Sequence, residues 1–168
     1  GNQVLSIREL LRKSGNDSEI YVNAWDSEVE GECYFYQEYR AHTPSETGII
    51  YHHCIGSDVT TYVRSLPEKK MLIYHNITPA HFFTPYSPAV ACLCEEGRQS
   101  LASLPPFFSL AVGDSRYNAR ELETAGFART GVLPLPVPSY RQDKIPVRES
   151  QEEPFHLLSV GRLAPNKK

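Results

Sequence analysis

A chain of 168 residues is long enough for one domain with a substantial core. Its 40% apolar and 22% charged content is ordinary for a globular protein, and a net charge of -3 gives no basic face for nucleic acid. No apolar run approaches the roughly 20 residues that cross a bilayer, and GNQVLSIREL lacks the basic start and apolar centre of a signal peptide.

Val4, Ile7 and Leu11 recur at helical spacing, widened by Leu5 and Leu10, and Gly15 supplies a stop. This predicts a helix over 3–14. Glu19–Trp25 is rich in β-formers and reads as a strand. Residues 26–47 are polar and acidic apart from Tyr34-Phe35-Tyr36, a loop with a short edge strand. Residues 48–53 (GIIYHH) form the next strand, and Ser57 or Asp58 caps a helix to about Ser65. Met71–His75 follows as a buried strand that stops abruptly at polar residues, with Pro79, Pro85 and Pro88 beyond it. Residues 88–103 carry helical markers at Val90, Leu93, Leu101 and Leu104, although Gly97 weakens a helix by about 1 kcal/mol against Ala.

Phe107–Val112 is a continuous apolar run and another buried strand. Ser115 caps a helix over 116–125 that Gly126 closes, and Val132-Leu133 is a short strand stopped by Pro134, Pro136 and Pro138. Residues 139–154 read as a linker and Phe155–Val160 as a last strand. Short strands alternating with helices indicate βαβ units and an α/β, mostly parallel sheet. The chain opens in a helical pattern and closes just after a strand-like run, as a fragment of a longer protein does.

In a parallel sheet the carboxyl ends of the strands share one edge, where open α/β folds bind ligands. The residues expected there are His52, His53, Gly56 and Ser57, then His75 and Asn76, then Asp114, Ser115 and Asn118, then Gly161-Arg162. Gly56-Ser57 and Asp114-Ser115 also open helices, whose free N–H groups suit anions. No metal site is expected: His52, His53, His75 and His81 lack zinc spacing, and Cys92-x-Cys94 has no matching pair. The four cysteines read as free thiols of a reducing cytoplasm. No G-x-S-x-G, G-x-G-x-x-G or Walker A pattern occurs, which disfavours a serine hydrolase, a nicotinamide enzyme or a P-loop NTPase. In the tail, a strand, a glycine, an Arg fork and a Lys charge form a diphosphate grip.

That tail, VGRLAPNKK, resembles the V-G-R-[LF]-x-x-x-K opening of the second Rossmann domain in GT4-family glycosyltransferases of GT-B fold. YHNITPAHFF resembles the YHNITP segment of bacterial members acting on surface polysaccharides. DSRYNARELETAGF resembles the family's D-S-x-x-N-x-x-x-L-x-x-x-G-[FY], VLPLPV the strand leaving the first domain, and residues 1–22 the first helix and second strand. The resemblance implies a Rossmann-like, mostly parallel sheet with helices on both faces, one incomplete half of a GT-B fold. Residues 1–150 would be the acceptor-side domain lacking its first strand, and 151–168 the linker end and first strand of the donor domain.

By resemblance, His75 orients the donor sugar, and Arg162 and Lys167, with Lys168 an alternative, hold the donor diphosphate. The implied reaction is retaining transfer of a hexose from a nucleotide-sugar to a glycan or lipid-linked acceptor, without a metal. Contact with the inner membrane follows from a lipid-linked acceptor. The family's E-x₇-E motif lies beyond Lys168, so the isolated chain is expected to be inactive, and unpaired strands flanking an absent central strand invite self-association. A non-catalytic sugar- or nucleotide-binding module is the alternative. A hydrolase using His75 with Asp114 or Ser115 is a third reading.

Overall fold

The computed structural model describes residues 2–42 and 46–136. Within them the chain is α/β: a four-stranded, all-parallel sheet flanked by helices, a Rossmann-like half-domain. The expected linker over 139–154, the strand over 155–160, and Arg162, Lys167 and Lys168 lie outside the described residues.

Helix α1 spans Asn2–Lys13. Gly15 follows it at φ +83°, the left-handed conformation that a helix C-terminus requires and that costs glycine nothing. Arg12 ties the helix to the next segment, donating to Ser18 O at 2.9 Å and pairing with Glu19 at 2.8 Å. The strand expected over 19–25 is reduced to β1, Tyr21–Val22. Its parallel partner is β2, Tyr34–Phe35, and the two make a sheet of their own. Among the described residues the partner offers only two ladder residues, with one more bond from Tyr34 N–H to Ile20 O at 2.9 Å, so the ladder stays short. Aromatic contacts hold the patch instead, with Tyr21 against Tyr34 and Tyr39, and Trp25 against Phe35.

The main sheet runs β3 (Gly48–His53), β4 (Lys69–Tyr74), β5 (Leu110–Gly113) and β6 (Thr130–Val132) in chain order. Between them lie α2 (Asp58–Ser65), α3 (Pro88–Leu101) and α4 (Arg116–Thr124). Every crossover steps one strand in the same direction, so crossovers of one hand put all three helices on one face. Contacts bear this out. Tyr51 shares a 2.7 Å hydrogen bond with Thr60 of α2, His53 reaches Gly97 of α3, and Tyr74 donates to Glu121 of α4 at 3.1 Å. In register, Tyr51 lies beside Leu72 and Ala111, and His53 beside Tyr74 and Gly113. These inward residues meet Val63, Cys94, Leu101, Leu104, Leu122 and Phe127 in the core. Burying one large apolar side chain stabilises by about 1.5–3 kcal/mol.

Local signals set most element ends. Ser57, Ser87 and Ser115 each accept a hydrogen bond from a backbone N–H in the first turn of α2, α3 and α4. Ser57→Ala should therefore cost about 1 kcal/mol, read as a lower urea midpoint at unchanged slope. Two strand expectations shift. Pro105-Pro106 curl the chain into a 3₁₀ turn through Phe107, so β5 starts at Leu110 rather than at 107. β6 begins at Thr130 rather than at Val132, and Leu133 N–H still donates to Gly113 O at 2.9 Å before Pro134 stops the ladder.

Candidate functional site: the carboxyl edge of the parallel sheet

The outward face of the sheet carries three polar side chains to its carboxyl edge. His52 is the register partner of Ile73. His75 is two residues past Ile73, and Asp114 two past Val112, the partner of Ile73 on β5. The period-2 alternation of strands puts all three on one face, side by side on neighbouring strands. The atoms follow this placement. His75 Nε2 lies 3.1 Å from His52 Nδ1, and His75 Nδ1 lies 3.4 Å from Asp114 Oδ2. The two imidazoles stack nearly parallel, 5.4 Å between centroids and 13° between planes. Burial, followed by the neighbouring His75, holds the pKa of His52 down to about 4, so its ring is neutral at pH 7.

Asp114 is itself held. Asn118 Nδ2 donates to Asp114 Oδ1, and the Asn118 backbone N–H donates to Ser115 Oγ at 3.2 Å. Asn118 is only 3% exposed, and its Oδ1 has no partner. The start of α4 reaches this close because residue 113 is glycine. A Cβ there would stand 2.6 Å from Ala119 N and 2.7 Å from Asn118 Cβ. The 75–78 loop is anchored in turn by Arg98, which donates to Ile77 O at 2.7 Å and pairs with Glu121 at 3.1 Å. Glu121 also takes the hydroxyl of Tyr74, whose pKa burial and this carboxylate push up to about 12.

The residues expected at the edge divide into two groups. His75 is half-buried and Asn76 exposed at the end of β4, with Ser115 half-buried beside them. His53, expected to line a cleft, points the other way. It is 0% exposed beneath α3, with Nε2 2.9 Å from Gly97 O and Nδ1 3.4 Å from the Tyr51 hydroxyl. A carbonyl only accepts, so His53 carries its proton on Nε2 and is a core hydrogen-bonding group. Gly56 is likewise buried, its N–H donating to Leu93 O at 2.8 Å, and Ser57 is the α2 cap. Asn118 sits behind Asp114 and orients it.

From the sequence both His52 and His53 arrive at this edge, and His53 is the expected lining residue. Strand register would have separated them, since only His52 shares the face of His75.

Among the described residues, no serine hydroxyl is hydrogen-bonded to the Asp114–His75 pair. Ser115 Oγ is taken by the α4 backbone, and His75 Nε2 faces another imidazole, which weighs against a hydrolase. A cavity of about 400 Å³ lies at the opposite edge, around Pro67, Glu68, Lys70 and Phe107. Of the two lysines that line it, Lys70 is occupied, its Nζ donating to Leu66 O and Glu68 O at 2.6 and 3.0 Å, while Lys69 is exposed. Among the described residues, no group of three or more His, Cys, Asp or Glu could hold a metal ion, and no helix is long and apolar enough to cross a membrane. Cys33, Cys54, Cys92 and Cys94 are free thiols.

Fold and edge together define a Rossmann-like half-domain with a histidine–histidine–carboxylate row at its ligand edge. Compared with family models, curated proteins and solved structures, the chain matches none.

Proposed function

We propose that the chain is the acceptor-side part of a retaining, GT4-like glycosyltransferase. It serves transfer of a hexose from a nucleotide-sugar to a glycan or lipid-linked acceptor in bacterial surface-polysaccharide synthesis. The observation that carries the reading is the placement of His75 and Asn76, from the Y-H-N-I-T-P segment, at the carboxyl edge of an all-parallel sheet beside the start of α4. Ligands of open α/β sheets sit at that edge.

In this reading the histidine edge faces the donor sugar through hydrogen bonds to its hydroxyls. The developing negative charge lies on the leaving diphosphate, which calls for cationic stabilisation. Arg162 supplies a planar fork and Lys167, or Lys168, a point charge. These side chains suffice in principle for the role that a metal plays elsewhere, so the proposal includes no metal and no cofactor beyond the nucleotide-sugar. A lipid-linked acceptor places the work at the inner face of a membrane, with peripheral contact.

The test is transfer by the whole protein that carries this chain, assayed with a panel of nucleotide-sugars and lipid-linked or glycan acceptors. Transfer with retained anomeric configuration is expected. His75→Ala should lower kcat by about 10²–10³-fold, the typical loss for one preorganised stabilising group, while Arg162→Ala chiefly weakens donor binding. Absence of transfer from every nucleotide-sugar, by a protein shown to be folded, overturns the reading.

A further inference from the structure

We infer that His52, rather than His75, presents the open hydrogen-bond-accepting nitrogen of this edge, and that Asp114 sets this by fixing the proton on both imidazoles. The chain of reasoning starts at Asp114. Its Oδ1 is taken by the Asn118 amide, and its Oδ2 faces His75 Nδ1 at 3.4 Å. That distance is longer than a normal hydrogen bond, so its polarity follows from charge. A carboxylate has no proton to give, and a nitrogen lone pair aimed at it would be repelled. His75 therefore carries its proton on Nδ1.

In a neutral imidazole the other nitrogen is then an acceptor. His75 Nε2 faces His52 Nδ1 at 3.1 Å, so His52 must donate from Nδ1. Burial keeps His52 neutral, which leaves Nε2 with a bare lone pair. Among the described residues, no hydrogen bond to that nitrogen is formed. The preference of one carboxylate is thus carried across two rings to an atom on a different strand. The opposite arrangement, in which His75 donates to His52, requires a doubly protonated His75.

The consequence for the ligand rests on the glycosyl-transfer reading. The group that meets this edge is a hydroxyl acting as donor, and in that reading it is a hydroxyl of the hexosyl unit, accepted by His52 Nε2. His75 and Asp114 are then positioning residues, acting through His52. A ligand offering only acceptors, such as a bare phosphate, meets a lone pair and is disfavoured.

The tautomers can be read directly by long-range ¹H–¹⁵N correlation of the histidine side chains in ligand-free protein at neutral pH. His52→Gln and His75→Gln serve to assign the signals. The expected result is Nδ1 of pyrrole type and Nε2 of pyridine type on both rings. In Asp114→Asn, the amide keeps its oxygen for Asn118 and turns its N–H to His75, so both rings should flip to Nε2–H. The parent spectrum needs no variant, which keeps the inference falsifiable if Asp114→Asn does not fold. A parent His52 protonated on Nε2, a His75 protonated on both nitrogens, or a folded Asp114→Asn with His52 unchanged overturns it. Because no ligand is used, failure of the transferase assay leaves the tautomers untouched, and failure of the tautomers leaves that assay untouched.

Discussion

Gly97→Ala should destabilise the protein by about 2–3 kcal/mol, the cost of forcing extra atoms into a packed contact. Helix propensity alone gives the opposite sign, a gain of about 1 kcal/mol for replacing a mid-helix glycine. The structure decides between them. A Cβ on Gly97 would stand 2.7 Å from Gly56 N and 2.9 Å from Ile55 C. Both are backbone atoms, and no rotamer change can move them aside. The approach is reciprocal, since a Cβ on Gly56 would stand 2.8 Å from Leu93 O and 2.8 Å from Glu96 Cβ. The two glycines let α3 sit directly on the turn after β3, where Gly56 N–H donates to Leu93 O. Displacing α3 also pulls Gly97 O away from His53 Nε2, a buried hydrogen bond whose loss leaves a core imidazole unsatisfied. Urea unfolding measures the effect, with exposed Gln99→Ala as the control that propensity should govern. A Gly97→Ala protein as stable as its parent would show that α3 does not pack as described.

Gly97 illustrates what the sequence could and could not convey. The alternation of strands and helices was legible because its signals are local: apolar runs of four to six residues, serines ahead of helical stretches, Gly15 and Gly126 after them, and prolines in the loops. The α/β class and the parallel sheet followed from that order. A close approach between α3 and the β3 turn joins residues about forty positions apart, and nothing near Gly97 announces it. The same limit explains the choice of His53 over His52. Ile49, Ile50 and Tyr51 are consecutive and apolar, so the strand shows no alternation from which to read its inward side. Only the bonds of Tyr51 to Thr60 and of His53 to Gly97 decide it. Likewise the β-forming run over 19–25 had the residues of a strand but, among the described residues, pairs in a ladder only at Tyr21–Val22. The candidate edge was therefore legible as a list of residues arriving at strand ends, while the row His52–His75–Asp114 depended on register.

The second large effect is on pH. Stability should fall by about 3 kcal/mol as pH drops from 7 towards 4, through histidines whose rings resist protonation in the fold. The pKa of His52 is held down to about 4 against 6.5 for an unperturbed histidine, by burial and then by the neighbouring His75. One pKa unit corresponds to about 1.4 kcal/mol, so this ring alone accounts for about 3 kcal/mol. His53 adds in the same direction: burial lowers its pKa, and the carbonyl of Gly97 opposes this only in part.

The sign follows from proton counting. Between the folded and unfolded pKa values the unfolded chain binds more protons than the native one, so stability rises with pH. The contribution is therefore complete above about 6.5 and is lost as pH falls towards 4. Carboxylates do not confuse the upper part of this window. At Glu68, burial pushes the pKa upward, but the His42 N–H and further hydrogen bonds outweigh it and leave the pKa below 4.5. Its stabilisation is lost only at lower pH.

Unfolding free energies from urea titrations at pH 7.0, 5.5 and 4.5 test the point. The parent should lose stability steadily across the three, and His52→Gln should flatten the curve most. A parent whose stability is level from pH 7.0 to 4.5 would mean that neither ring is shielded from water. The prediction also bears on the edge itself. The ring that resists protonation in the fold is the same ring that must stay neutral to keep a lone pair for a hydroxyl. Between the two pKa values acid therefore weakens the fold while the folded ring still keeps that lone pair.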